Sequence, residues 1–169
     1  MALSFVTSAD HEIEIVVTCD PSVQCNEDQQ SAYYKSGDLN DLEDVKDATR
    51  FIIRALSPSD REQAEVSAGA YTRSELGRLL WLESPNETKE RARWHHELED
   101  DEKEALAQYT AYLNRVYIEM IRASLVSIDG ETATYETIDN IRPESIRTQT
   151  ISELVLHIQR ISLLGDSGK

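Results

Sequence analysis

Residues 101–135 read DEKEALAQYTAYLNRVYIEMIRASLVSIDGETATY, and two periodicities follow one another along them. Leu106, Tyr109, Leu113, Val116 and Met120 recur at intervals of three and four, flanked by Tyr112, Tyr117 and Ile121. That spacing predicts a long helix over about 101–125 with a broad apolar face. Glu99-Asp100-Asp101-Glu102 places negative charge at its start, where the helix dipole favours it. From residue 125 the pattern becomes alternation around Asp129-Gly130, which predicts a hairpin with a two-residue turn. A long helix running into a small hairpin points to a mainly α fold with a small β element (α+β).

Toward the N-terminus, residues 11–18 (HEIEIVVT) alternate and then become β-branched, which predicts a strand ended by Asp20-Pro21-Ser22. Residues 49–56 (TRFIIRAL) predict a second strand, with Phe51, Ile53 and Ala55 on one face and Arg50, Ile52 and Arg54 on the other. Ser57-Pro58 is a helix start, with Ser57 as N-cap, and Gly69 ends that helix. Thr72-x-x-Glu75 predicts a capping box for a helix through Leu76, Leu79, Leu80 and Leu82. Ser84-Pro85 opens a charged helix carrying Trp94. Ile141-Arg142-Pro143-Glu144 begins a short helical turn. A C-terminal helix is expected to open at Thr148 or Thr150, the latter with Thr150-x-x-Glu153 as a capping box, and Gly165 caps its end. Ile151, Leu154, Ile158 and Ile161 form its apolar stripe, so this helix and the long central one are expected to build the core. The expected layout is an N-terminal strand region at 1–21, a segment at 22–49, a mainly helical domain at 50–165 and a tail at 166–169.

The chain of 169 residues has 32 acidic and 17 basic side chains. Residues 1–49 hold eleven acids against Lys35 and Lys46, which is −9 of the net −15. Residues 22–49 are poor in large aliphatics, so they predict a long exposed loop or mobile segment, with at most a short helix near 39–47. Such charge disfavours direct binding to nucleic-acid phosphates. It either attracts a basic partner or solvates a surface. Tyr33-Tyr34 lies inside the acidic segment: either it docks a partner with Asp38, Asp41, Glu43 and Asp44, or it packs back onto the body.

Catalytic and metal motifs are weak. His95-His96 are adjacent and so point to different helix faces, which chelates one metal poorly. Glu153 and His157 stand four apart and can meet on one helix face, but no nucleophile accompanies them in sequence. The acidic runs do not follow the EF-hand order. The six glycines form neither a P-loop nor a dinucleotide-binding loop. Cys19 and Cys25 are read as free thiols, there is no secretory signal at the start, and no apolar run is long enough for a membrane span. The expectation is a non-enzymatic protein without cofactor or metal.

The layout as a whole resembles a known group: the Asp20-Pro21-Ser22-Val23 turn after a short strand, residues 50–57 (RFIIRALS) running into a charged helix, the long aromatic-faced helix, Ile128-Asp129-Gly130, and residues 152–162 (SELVLHIQRIS) near the end. It is similar to the small tail-assembly proteins of tailed bacteriophages, particularly the tail assembly chaperones that accompany the tape measure protein. The resemblance implies an acidic, mainly helical protein that keeps a coiled-coil partner soluble in the host cytoplasm until the tail tube forms. Self-association through the helix faces is compatible with it. Two other classes stand beside it: a structural virion protein of the neck, head or tail, and an acidic DNA mimic. The near-neutral stretch 50–94 argues against the mimic.

Overall fold

The computed structural model describes residues 11–69 and 75–166. Within them the protein is mainly helical, with one small antiparallel sheet, as the sequence predicts. The strands are β1 (Glu12–Ile15), β2 (Phe51–Arg54), β3 (Leu125–Ile128) and β4 (Glu131–Thr132), ordered β1-β2-β3-β4. The helices are α1 (Glu27–Ser36), α2 (Pro58–Ser67), α3 (Glu75–Glu83), α4 (Thr88–Glu97), α5 (Asp100–Ser124), α6 (Tyr135–Asp139) and α7 (Glu144–Asp166). None of these helices is long and apolar enough to cross a membrane.

The chain divides into two compact units, Met1–Ala64 with Tyr117–Lys169, and Glu65–Val116. In the first, β2 takes the register Ile13↔Ile53 and Ile15↔Phe51 with β1. Phe51 and Ile53 are buried and Ile52 and Arg54 are half-buried, as the alternation requires. The β3–β4 turn has Asp129 at φ 50° and Gly130 at φ 79°. Both residues are left-handed, the condition for a two-residue turn that matches strand twist. Asp129 also accepts the Arg50 amide through its side chain at 2.8 Å, which ties the hairpin tip to β2. Leu154, Val155, Ile158 and Ile161 of α7 are buried, and α7 packs on β2.

Residues 22–49 differ from the predicted exposed loop. They form α1, a 3-10 turn (Leu39–Asp41) and a bridge between Gln24 and Asp44. Asn26 and Gln29 make a reciprocal capping box at the start of α1, and Gly37 ends it at φ 72°. Tyr33, Leu42 and Ala48 are buried in a cluster with Val16, and Val23, Cys25, Tyr34, Leu39 and Val45 pack against it. A few well-placed apolar groups therefore anchor a polar segment.

The C-terminal helix also starts earlier than expected. It begins at Glu144, just after the cis Arg142-Pro143 bond, and Thr148 and Thr150 lie inside it. Their hydroxyls donate to Glu144 and Ile146 carbonyls, one turn back. Gly165 lies within α7 and not beyond its end. Residues 84–87 precede α4, whose first helical residue is Thr88. The Thr72 cap lies outside the described residues. Helix α6 has no counterpart in the sequence reading.

In the second unit, Leu80, Leu98 and Leu106 are buried together with Trp94 against them. Arg115 donates to the Ala68 carbonyl at 3.0 Å. Trp81 meets Tyr109 edge-on at 6.1 Å, and Tyr109 meets Tyr112 at 6.4 Å.

Candidate functional site

Three of the acids proposed for partner binding, Asp38, Asp41 and Asp44, have local side-chain partners. The Asp38 side chain caps the 3-10 turn by accepting the Asn40 amide at 2.9 Å. Asp41 accepts the Ser36 hydroxyl. Asp44 accepts the Lys46 amide at 3.1 Å. Glu27 and Asp28 occupy the first turn of α1, where the dipole favours them. Asp20 accepts amides from Ser22 and Thr49 at 2.8 and 2.9 Å. Burial opposes the charge of Asp20, but those amides hold its carboxyl below the ordinary range. Glu43 is exposed, and its backbone amide bonds Gln24. Much of this acidity thus builds turns.

Tyr33 does not lie at the surface but packs back onto the body. It is fully buried, and its hydroxyl bonds both backbone groups of Val16. Burial pushes it up to about 12. Tyr34 is half-buried; its hydroxyl meets Thr18 Oγ1 at 2.8 Å and accepts from Gln30 at 3.0 Å.

Glu153, on α7, closes the other side of this seam. Its carboxylate accepts the Thr18 amide at 2.6 Å, the Thr18 hydroxyl at 3.1 Å and the Cys19 amide at 3.1 Å. Burial, with the Glu153 charge adding to it, pushes the Cys19 thiol up to about 11. Such a thiol stays protonated near neutral pH and is a poor nucleophile. His157 is fully buried between Tyr33 and Tyr34, with ring centroids 4.9 and 5.9 Å away. Neither ring nitrogen has a hydrogen-bond partner, so Glu153 and His157 do not form an acid–base pair. Burial, then the nearby Arg160 charge, lowers His157 to about 4. The seam is built to hold buried backbone. No group of three or more metal-ligating side chains occurs among the described residues, and His95 and His96 are exposed on α4.

The outstanding surface lies elsewhere. Helix α3 is apolar on two sides. Gly77 and Leu80 are buried on one. Leu76, Leu79 and Leu82 are 39, 44 and 60% exposed. At about 100° per residue these three fall within an arc of roughly 120°, with Leu76 at its edge about 40° from Leu80 and Leu79 and Leu82 about 100° and 160° from it. The sequence reading predicts this helix but gives it no role; its leucines on more than one face are the available signal of one.

No protein-family model, curated protein or solved structure matches this chain. The leucines of a helix are normally turned toward protein. Here Leu76, Leu79 and Leu82 of α3 are exposed among Glu75, Arg78 and Glu83, and grouped exposed apolar side chains rimmed by charge mark interaction sites.

Proposed function

We propose that this chain is a non-enzymatic assembly protein that shields a partner protein by docking it on α3. The exposed row Leu76–Leu79–Leu82, on the helix that also buries Gly77 and Leu80, is the observation that supports it. The resemblance to phage tail assembly chaperones makes the tape measure protein the first partner to try, in the host cytoplasm. The net charge of −15 suits a carrier that must keep an apolar partner dispersed.

The test is co-expression of the tagged chain with the tape measure protein of the genome that carries it. Soluble yield and co-purification of the partner are read for the native chain and for a Leu79→Ser/Leu82→Ser variant. The native chain should raise both, and the variant should lose most of the gain. Equal recovery with the variant removes α3 from the reading. No recovery with either removes the tape measure protein as partner. Abundant chain at fixed copy number in purified particles would instead favour a structural virion protein.

A further inference from the structure

Resting on the reading of α3 as a docking face, we infer that its occupant is an amphipathic helix carrying Lys or Arg at both ends of its apolar row. The leucine row is bracketed by carboxylates. Glu75 and Glu83 are the first and last residues of α3, and both are exposed. They stand about 12 Å apart along the axis, at 1.5 Å per residue. By angle they fall on the same outward arc as Leu76, Leu79 and Leu82.

Glu75 suits a helix N-terminus, and it bonds Arg78 at 3.2 Å in an exposed pair. Such pairs are weak and leave the carboxylate open to a second cation. Glu83 is different. An acid at a helix C-terminus opposes the dipole, so its own helix gives it no benefit. It has no ion pair among the described residues. A cation from a partner gives it one.

The same charges disfavour a second copy. Two α3 rows packed antiparallel with Leu79 against Leu79 set Glu75 of one against Glu83 of the other. Packed parallel, each carboxylate meets its own counterpart. Residues 65–116 as a whole hold eleven acids and seven bases, so the surroundings do not reverse this. A straight row of leucines at i, i+3 and i+6 matches the ridge of another helix. Cations about two turns apart on that helix reach both carboxylates.

The experiment uses the full chain and two synthetic peptides. Both carry leucines at i, i+3 and i+7; one has a lysine at each end of the row and the other a glutamate. Affinities are measured by fluorescence anisotropy at about 50 and 500 mM salt. The lysine peptide should bind more tightly, and salt should weaken it. Glu75→Gln/Glu83→Gln should reduce its affinity about three- to tenfold, the range for two rim charge pairs, and abolish the preference. These positions are exposed, and melting curves confirm that the variants fold. If both peptides bind equally and Leu79→Ser abolishes both, the charge inference falls and the docking face stands. Binding unchanged by Leu79→Ser overturns both. No binding of the lysine peptide overturns the inference, while the co-expression result still decides the docking reading. Dimerisation in sedimentation runs that Leu79→Ser breaks would make a second copy the occupant and overturn it too.

Discussion

The Tyr33 hydroxyl accepts the Val16 amide and donates to the Val16 carbonyl, both at 3.0 Å. Strand β1 ends at Ile15, yet Val16 is fully buried and both its backbone groups need partners. One side chain from α1 completes the ladder where no strand continues it. Glu153 then takes over for Thr18 and Cys19. The link from β1 to the helices is therefore made by side chains, and each can be removed singly.

Tyr33→Phe keeps the ring and its packing but strands the amide and carbonyl of Val16. Leaving a buried group unsatisfied costs about 1–3 kcal/mol. Urea unfolding should show a loss in that range with an unchanged m-value. Partner capture through α3 should be unaffected under conditions where the variant is folded. Loss of capture without loss of stability would return Tyr33 to the role of a docking residue.

Glu153→Gln offers one oxygen where the carboxylate offered two, and turns an amide donor toward other donors. Stability should fall by about 2 kcal/mol, as for charged hydrogen bonds lost in a buried site. The thiol of Cys19 gives a second readout. In the native chain at pH 8 it should alkylate far more slowly than in urea, because burial and the Glu153 charge hold it near 11. Removing the charge should speed alkylation. An unchanged rate would mean that burial alone protects the thiol.

The long helix, the Asp129-Gly130 hairpin and the facing of β2 were legible because each rests on a local pattern: 3.6-residue spacing, a turn dipeptide, strict alternation. Helix α1 was missed because EDQQSAYYKS has too few apolar residues for periodicity to register. Its signals were at the ends, in the Asn26/Gln29 capping box and in Gly37. The start of α7 was misplaced for the opposite reason. Thr150-x-x-Glu153 imitates a capping box, but Glu153 reaches across to Thr18 and Cys19, a contact over about 135 positions that no local pattern encodes. The row on α3 was visible in the sequence as leucines; that one side remains exposed required the fold.

Gly37→Ala tests how α1 is tied to α7. A Cβ there would run into the Arg160 guanidinium, and φ 72° is a left-handed conformation that alanine resists. Arg160 donates to the Tyr33 carbonyl at the C-terminal end of α1, where a cation is favoured. Backbone strain of about 1 kcal/mol plus displacement of Arg160 should lower stability by about 2–3 kcal/mol. Arg160→Ala should relieve the steric part, so the double variant should be less than additive. Strict additivity would show that the two residues do not interact.

His157 sets a pH dependence whose sign follows from its burial. Its folded-state pKa is lowered from 6.5 to about 4, first by desolvation and then by Arg160. Tyr33 and Tyr34 face it from α1, and Glu153 and Arg160 lie one turn away on α7. Between about pH 4 and 6.5 the unfolded chain holds a proton that the folded chain rejects. Stability must therefore rise with pH across that window and fall on acidification, by up to roughly 3 kcal/mol. His157→Leu removes the titrating ring with little change in volume. At pH 7 it should be neutral or stabilising by about 1 kcal/mol, since both ring nitrogens lack partners. From pH 6.5 down to 4.5 the variant should lose less stability than the native chain. The difference between the two profiles isolates His157 from the carboxylates that titrate in both. Parallel profiles would mean that the ring is protonated in the folded state at little cost, with an acceptor close at hand.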